Sequence, residues 1–385
     1  MIPYGRQDIT EEDIKAVVEV LKSDFLTQGP KVPEFEKLAS KYCNSKYAVA
    51  VNSATSALHI SCLALGVKKG DIVWTAANTF VASSNAALYC GATVDFVDIN
   101  EHDFNISIES LKQKLNDAEK RGQLPKVVIP VHMCGQSCEM KAIKELSDKY
   151  GFKIIEDASH AVGGKYQDFK VGSCQYSDIT VFSFHPVKII TSGEGGMAFT
   201  NDNHLYDLMC LYRSHGITRE HDCMKNNPHG DWYYEQQVLG LNYRMTDIHA
   251  ALGISQFKRV DQNVADRNKI ALDYNKMLSN LPLKLPTVND FALSSFHLYV
   301  IRLEKEVMCK HRSIFKKLRE KNILVNLHYI PVYLHPYYES IGFKKGYCPN
   351  AEIFYKSAIS IPIFPKLTPE EQAFVVKEIK SSLFN

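Results

Sequence analysis

Short apolar runs rich in β-branched and aromatic residues recur through the first half of the chain: Ala48 to Val51, Ile72 to Thr75, Thr93 to Val97, Val127 to Val131, Lys153 to Ile155, Ile179 to Phe184 and Gly196 to Thr200. Between them apolar residues fall at helical spacing, as in Ser56 to Leu65, which stops at Gly66, a residue suited to the position after a helix. Strands alternating with helices predict an α/β domain whose sheet is mainly parallel and seven-stranded. Helix starts are also marked. Thr10-Glu11-Glu12-Asp13 is a capping pattern leading into an amphipathic stretch to about Leu21. Thr368-Pro369-Glu370-Glu371 opens the last helix, with a capping Thr, Pro at the first helical position and Glu two residues further on.

After about residue 255 the rhythm changes to a long helix through Lys258 to Leu278 and Pro-punctuated strands, His297 to Leu303 and Val325 to Ile330. This predicts a large domain over residues 1–255 and a smaller C-terminal α+β domain over 256–385, with residues 1–20 packing on the smaller one. The polar, turn-rich stretch Ser214 to Tyr234 reads as a long surface loop, a kind of segment that more often than not serves a function.

Composition narrows the function classes. A net charge of +2 with interspersed signs leaves no basic stripe for nucleic acid, and no apolar run is long enough to span a bilayer. Met1 to Arg6 lacks a charged segment followed by an apolar one, so a cytoplasmic protein is expected. The 10 cysteines are dispersed without a Cys-x-x-Cys pair, and only Cys134 and Cys138 lie close together, so buried thiols are expected and no metal site.

Ligands of a parallel sheet sit beyond the carboxyl ends of its strands, which makes the residues ending each run informative. Asn52-Ser53-Ala54-Thr55-Ser56 opens a helix whose free N–H groups suit a phosphate, or simply a capped turn. Asp157, after Ile154-Ile155, fits either a helix cap or a carboxylate beside a protonated ring nitrogen. Ser183-Phe184-His185-Pro186-Val187-Lys188 then places a hydroxyl and an amine before the Gly-rich turn Gly193-Glu194-Gly195-Gly196. A lysine there can form an imine with an aldehyde and later carry a proton. Phosphate loop, strand-end acid, Ser and Lys, in that order, point to pyridoxal 5′-phosphate (PLP).

These stretches, together with Gly29-Pro30 to Phe35-Glu36 and Gly240-Leu241-Asn242-Tyr243-Arg244-Met245, resemble the DegT family of PLP-dependent sugar aminotransferases. The resemblance implies a fold-type I transferase, PLP as cofactor, and a homodimer with shared active sites. It implies Lys188 as the Schiff-base residue, Asp157 on the pyridine nitrogen and His160 near the phenolic oxygen, where many members carry Gln. It further implies Phe80 stacked on the cofactor, Thr55, Ser56 and Ser183 on its phosphate, and Asn242, with Arg244 as a second candidate, reaching the partner subunit's site.

Within the family, the segments Ile2 to Gln7, Asn78 to Asn85, Arg213 to Thr218 and His328 to Tyr338 are similar to the branch that aminates C4 in pseudaminic acid biosynthesis. This implies a UDP-linked 4-keto-6-deoxy-2-acetamido hexose of L-arabino configuration and L-glutamate as donor, with Tyr4, Arg6, Arg213, His215 and His328 as substrate contacts. The alternatives are the D-xylo epimer and a catalytically inert sugar-nucleotide binder on the same fold.

Overall fold

The computed structural model describes residues 1–384. Its larger sheet has seven strands: β1 (Tyr47–Val51), β2 (Ile72–Ala76), β3 (Thr93–Val97), β4 (Val127–Ile129), β5 (Lys153–Asp157), β6 (Ile179–Ser183) and β7 (Gly196–Thr200), in the order β1-β7-β6-β5-β4-β2-β3. Only β7 runs antiparallel to its neighbours. The apolar runs are nearly continuous because helices cover both faces, which leaves β6 and β7 buried along their whole length. Each of the seven runs expected in the larger domain forms a strand of this sheet.

Helices α1 (Glu11–Leu21), α2 (Lys31–Cys43), α3 (Ala54–Ala64) and α4 (Ala82–Tyr89) precede or cross over this sheet, and α5 (Asp247–Phe257) and α6 (Val260–Leu278) follow it. The capping residues act as the sequence implies: Thr10 N–H donates to Asp13 Oδ2 at 2.9 Å. Asp13 is fully buried because Arg259 pairs with it at 2.7 Å, fastening α1 to the start of α6.

A second sheet, β8 (Leu283–Lys284), β9 (Tyr299–Leu303) and β10 (Ala358–Ile361), is antiparallel in that order. Tyr274 and Leu278 of α6 share its core with Ile314 and Leu318 of α7 (His311–Glu320) and with Val375 and Ile379 of the last helix, Pro369–Phe384. Ile2 belongs to this same core, because Ile2–Pro3 pairs in parallel with Ile323–Leu324. The chain therefore begins on one unit and builds the other.

Two expectations change. The helix expected from Lys258 begins at Val260, after a break that sets α5 off from α6. Val325 to Ile330 is not a strand: pairing stops at Leu324, Asn326 makes one isolated bridge to Ser360, and the chain then turns toward Pro331. His328 bonds Ser360 Oγ at 2.8 Å, so its imidazole is held by a polar partner. The 214–234 loop is largely irregular and is closed at its base by Ile217–Thr218 against Glu235–Gln236.

Candidate active site

The carboxyl ends of β1, β5 and β6 meet at one edge of the larger sheet. Beyond β1, Ser53 caps α3 by accepting the Ser56 N–H at 3.2 Å, while Ser56 Oγ donates to Asn52 Oδ1 at 2.6 Å. The first-turn amides of Ala54 and Thr55 have no intrahelical acceptor and present a partial positive charge. Gly196, in register with both Val51 and Ser183, passes directly beneath: a Cβ there would lie 2.5 Å from Ala54 N. Only glycine allows this approach. The Ser183 hydroxyl has no protein partner among the described residues. The result is an anion cradle of the kind a phosphate fills.

At the end of β5 the buried Asp157 carboxylate is held from both sides, by Ser83 Oγ on Oδ2 at 2.6 Å and Ser159 Oγ on Oδ1 at 2.6 Å. Its backbone is tied as well, its N–H to Pro130 O at 2.9 Å and its carbonyl to His132 N–H at 3.0 Å. No side-chain cation lies within ion-pair reach of it among the described residues. The Ser159 N–H also donates to Oδ1, at 3.2 Å. A buried carboxylate with neutral donors alone retains the capacity for a further, cationic donor, which a protonated ring nitrogen would meet.

Lys188 follows β6 on a turn fixed by Thr191 Oγ1 and Ser192 N–H, both donating to Phe184 O, at 2.9 and 3.0 Å. Its Nζ has no hydrogen bond or ion pair among the described residues. Burial pushes its pKa down to about 8, and the negative charge of Asp157 resists that shift. An amine poised near neutrality is a usable nucleophile, unlike a solvated lysine. Cradle, carboxylate and amine thus fit the three functional groups of PLP.

The opposite wall comes from loops. His160 Nε2 lies 3.1 Å from Tyr329 OH, its ring is 4.3 Å from that of His297, and its Nδ1 is buried without a partner. Burial, with Lys188 and His328 adding to it, holds His160 well below the usual histidine range, so it is neutral. Tyr329 N–H is anchored on Asn78 Oδ1 at 2.9 Å. His328 packs 4.9 Å from the Tyr4 ring, and burial followed by the Lys188 charge pushes its pKa down to about 3. Phe80 is 57% exposed, with its ring 6.1 Å from Tyr329.

Most of the residues singled out in the sequence therefore gather here: Thr55, Ser56, Asp157, His160, Ser183, Lys188, Tyr4 and His328, with Phe80 at the rim. Arg6 is exposed and shares a small cavity with Lys188. Arg213 does not join them. Its Nη1 pairs with Glu36 and donates to Ala50 O at 3.0 Å, so the guanidinium ties α2 to the sheet edge. His215 is exposed, its backbone in the left-handed region at φ 61° and its N–H on Leu241 O at 2.9 Å. Asn242 is exposed on a strap that crosses the end of β1, where Asn52 N–H donates to Tyr243 O at 2.9 Å and Arg244 bridges Val51. Ser83, Ser159, Tyr329 and His297 were not assigned roles from the sequence. Ser83 and Tyr329 fall inside motifs quoted above, but no spacing rule ties Ser83 to an acid 74 residues away.

A profile for the DegT/DnrJ/EryC1/StrS aminotransferase family matches residues 7–380. Among curated relatives, the UDP-4-amino-4,6-dideoxy-N-acetyl-beta-L-altrosamine transaminase of Campylobacter jejuni serotype O:2 is 39% identical over 388 residues, covering 100% of this chain and 97% of that one. Among solved structures, Helicobacter pylori PseC, an aminotransferase involved in the biosynthesis of pseudoaminic acid, superposes with a TM-score of 0.91 at 31% identity over 99% of both chains. Spr1654 from Streptococcus pneumoniae, solved in a PLP form, gives a TM-score of 0.88 at 29% identity, covering 99% of this chain and 98% of that one.

Proposed function

This chain belongs to the DegT/DnrJ/EryC1/StrS family of PLP-dependent sugar aminotransferases, and from that premise we propose that it transfers the amino group of L-glutamate to C4 of a UDP-linked 4-keto-6-deoxy-2-acetamido hexose. The favoured epimer is L-arabino, giving UDP-4-amino-4,6-dideoxy-N-acetyl-β-L-altrosamine for pseudaminic acid biosynthesis. The observation that carries the chemistry is an amine at Lys188, lowered to about 8 and free of protein partners, at the same strand edge as the buried Asp157 and the anion cradle. The C. jejuni relative's name supports the substrate.

When bound, PLP supplies an aldehyde to carry the amino group and a ring that absorbs the carbanion's electrons. Lys188 anchors it, then, as a neutral amine, takes the proton from the amino-bearing carbon of glutamate and returns one at C4 of the sugar. Asp157, fixed by Ser83 and Ser159, keeps the ring nitrogen protonated. Ser183, Ser56 and Thr55 would hold its phosphate, and Phe80 would cover its ring. His160, neutral and steadied by Tyr329, would donate to its phenolic oxygen. Tyr4 and His328 form the wall that the sugar meets, with Arg6 and His215 further out.

The enzyme acts as a cytoplasmic homodimer in which Asn242 and Arg244 complete the neighbouring site. Support comes from the strap's surroundings. Leu26, Tyr89 and Leu239 are exposed beside it, at 48, 57 and 85%, as apolar surface awaiting a partner would be. Residues 1–255 and 256–385 are then the two domains between which substrate binds. Coupling the enzyme to dehydratases that make each 4-keto epimer tests the substrate: a higher kcat/KM for L-arabino is expected, and a preference for D-xylo would overturn the assignment while leaving the amino transfer intact.

A further inference from the structure

On α3, His59 and Cys62 lie about one turn apart on the same face, and α3 packs on α4, which ends at Tyr89 just before Cys90. His59 is buried. Its Nδ1 meets Tyr243 OH at 3.1 Å, and its ring lies 5.4 Å from that of Tyr89. The Cys62 and Cys90 thiols stand close enough to share a hydrogen bond, and His59 makes a second one to Cys90. Cys62 is fully buried, whereas Cys90 is only partly covered. Two thiols and an imidazole thus form one cluster, and none of the three has a role in amino transfer.

Buried cysteines ordinarily serve as small apolar filling. Cys43 and Cys174 do so: they are neighbours, and burial pushes both thiols up. Cys90 differs. The hydrogen bond from Cys62, followed by the bond and charge of His59, holds Cys90 below the usual thiol range against the opposing effect of burial. The same contact with Cys90, and burial after it, push Cys62 well above that range. The cluster therefore favours a thiolate on the partly covered sulfur and a thiol on the buried one, the division of labour between a reactive and a resolving cysteine.

We propose that Cys90 is a peroxide-reactive thiol and that Cys62 resolves it to an intramolecular disulfide. The Cys90 sulfur attacks one oxygen of hydrogen peroxide; the S–O bond forms as the O–O bond breaks, and the other oxygen leaves as hydroxide and takes up a proton. Cys90 is thereby oxidised by two electrons to a sulfenic acid, and the peroxide is reduced. The Cys62 sulfur then attacks Cys90, forming the S–S bond, while its proton and the sulfenic hydroxyl leave as water. The two sulfurs must close to about 2 Å. Cys90 lies past the last turn of α4 and before Gly91, at φ 75°, so closure displaces a helix end and not a helix interior. The bridge ties α3, whose first turn forms the anion cradle, to the end of α4.

The test uses PLP-loaded enzyme in its native assembly, so a thiol covered there counts against the proposal. Iodoacetamide at about pH 6.5 should alkylate Cys90 about threefold or more faster than the exposed Cys223 and Cys309, because a larger thiolate fraction outweighs a lower intrinsic nucleophilicity. Hydrogen peroxide should then link, in a tryptic digest without reductant, the peptides 47–68 and 70–112, which carry Cys62 and Cys90 and no other cysteine. Dithiothreitol should separate them. Cys62→Ser should leave Cys90 as a sulfenic acid that dimedone traps. Alkylation no faster at Cys90 than at Cys223 and Cys309, or peroxide oxidation that leaves Cys62 and Cys90 unlinked, overturns the proposal; both are read on the wild-type enzyme and need no variant to fold.

Discussion

The two walls of the active site are built on different principles. The floor stands on strand ends: Asp157 ends β5 and Ser183 ends β6, and both the backbone and the side chain of Asp157 are bonded. The roof, made of Tyr4, His160, His297, Asn326, His328 and Tyr329, hangs on loops from four distant parts of the chain, and two of its ring nitrogens, His160 Nδ1 and His297 Nδ1, are buried without partners. A floor that must hold charges in place needs a rigid lattice, whereas a roof that meets a variable sugar can leave polar atoms for the ligand to satisfy. The comparison assigns chemistry to the floor and selectivity to the roof.

Floor substitutions should therefore be the most damaging. Lys188→Ala should abolish turnover, since no other amine among the described residues shares the strand edge with Asp157; a stopped-time assay of 2-oxoglutarate formation reads this. Asp157→Asn keeps the shape and removes the charge, and a loss in kcat on the order of 10²–10³ is expected from the missing electrostatic partner. A near-normal rate would return Asp157 to the role of a helix cap. Ser83→Ala removes one hydroxyl from that carboxylate, and a hydrogen bond to a charged group is worth about 1.5–3 kcal/mol, so kcat should fall about tenfold or more.

The roof should respond differently. Tyr329→Phe deletes the hydroxyl at His160 and should lower kcat/KM by about threefold to tenfold, the range of one neutral hydrogen bond. The loss should be unequal between L-arabino and D-xylo sugars; an equal loss for both would move Tyr329 to the floor's side of the comparison. The smallest effect concerns pH. In the cofactor-free protein Lys188 is lowered to about 8, so the neutral amine grows as pH rises through that value. PLP capture should accelerate up to about pH 8 and then level off, without a step between 5 and 7 from His160 or His328, which remain neutral there.

The same division governs what could be read from the sequence. Strand runs are local, and so are the residues that end them, which is why the seven strands and the placement of Asp157, Ser183 and Lys188 beyond strand ends were legible. Arg213 was read as a ligand contact because nothing local discloses Glu36, 177 residues away, as its partner. Ser83 was missed for the same reason. The 325–330 segment reads as a strand because it is a short run closed by Pro331. Pairing in space, with Ser360 bonding His328, broke the ladder. Roof contacts are long-range by construction, and no spacing rule reaches them.

Lys188 is the point on which floor and mechanism both turn. Reducing the PLP-loaded enzyme with borohydride fixes the cofactor to the lysine that carries it, and peptide mass mapping then identifies that lysine. The label should fall on the peptide containing Lys188 and vanish in Lys188→Ala; a label on any other lysine, or turnover near the wild-type rate in that variant, would contradict the account.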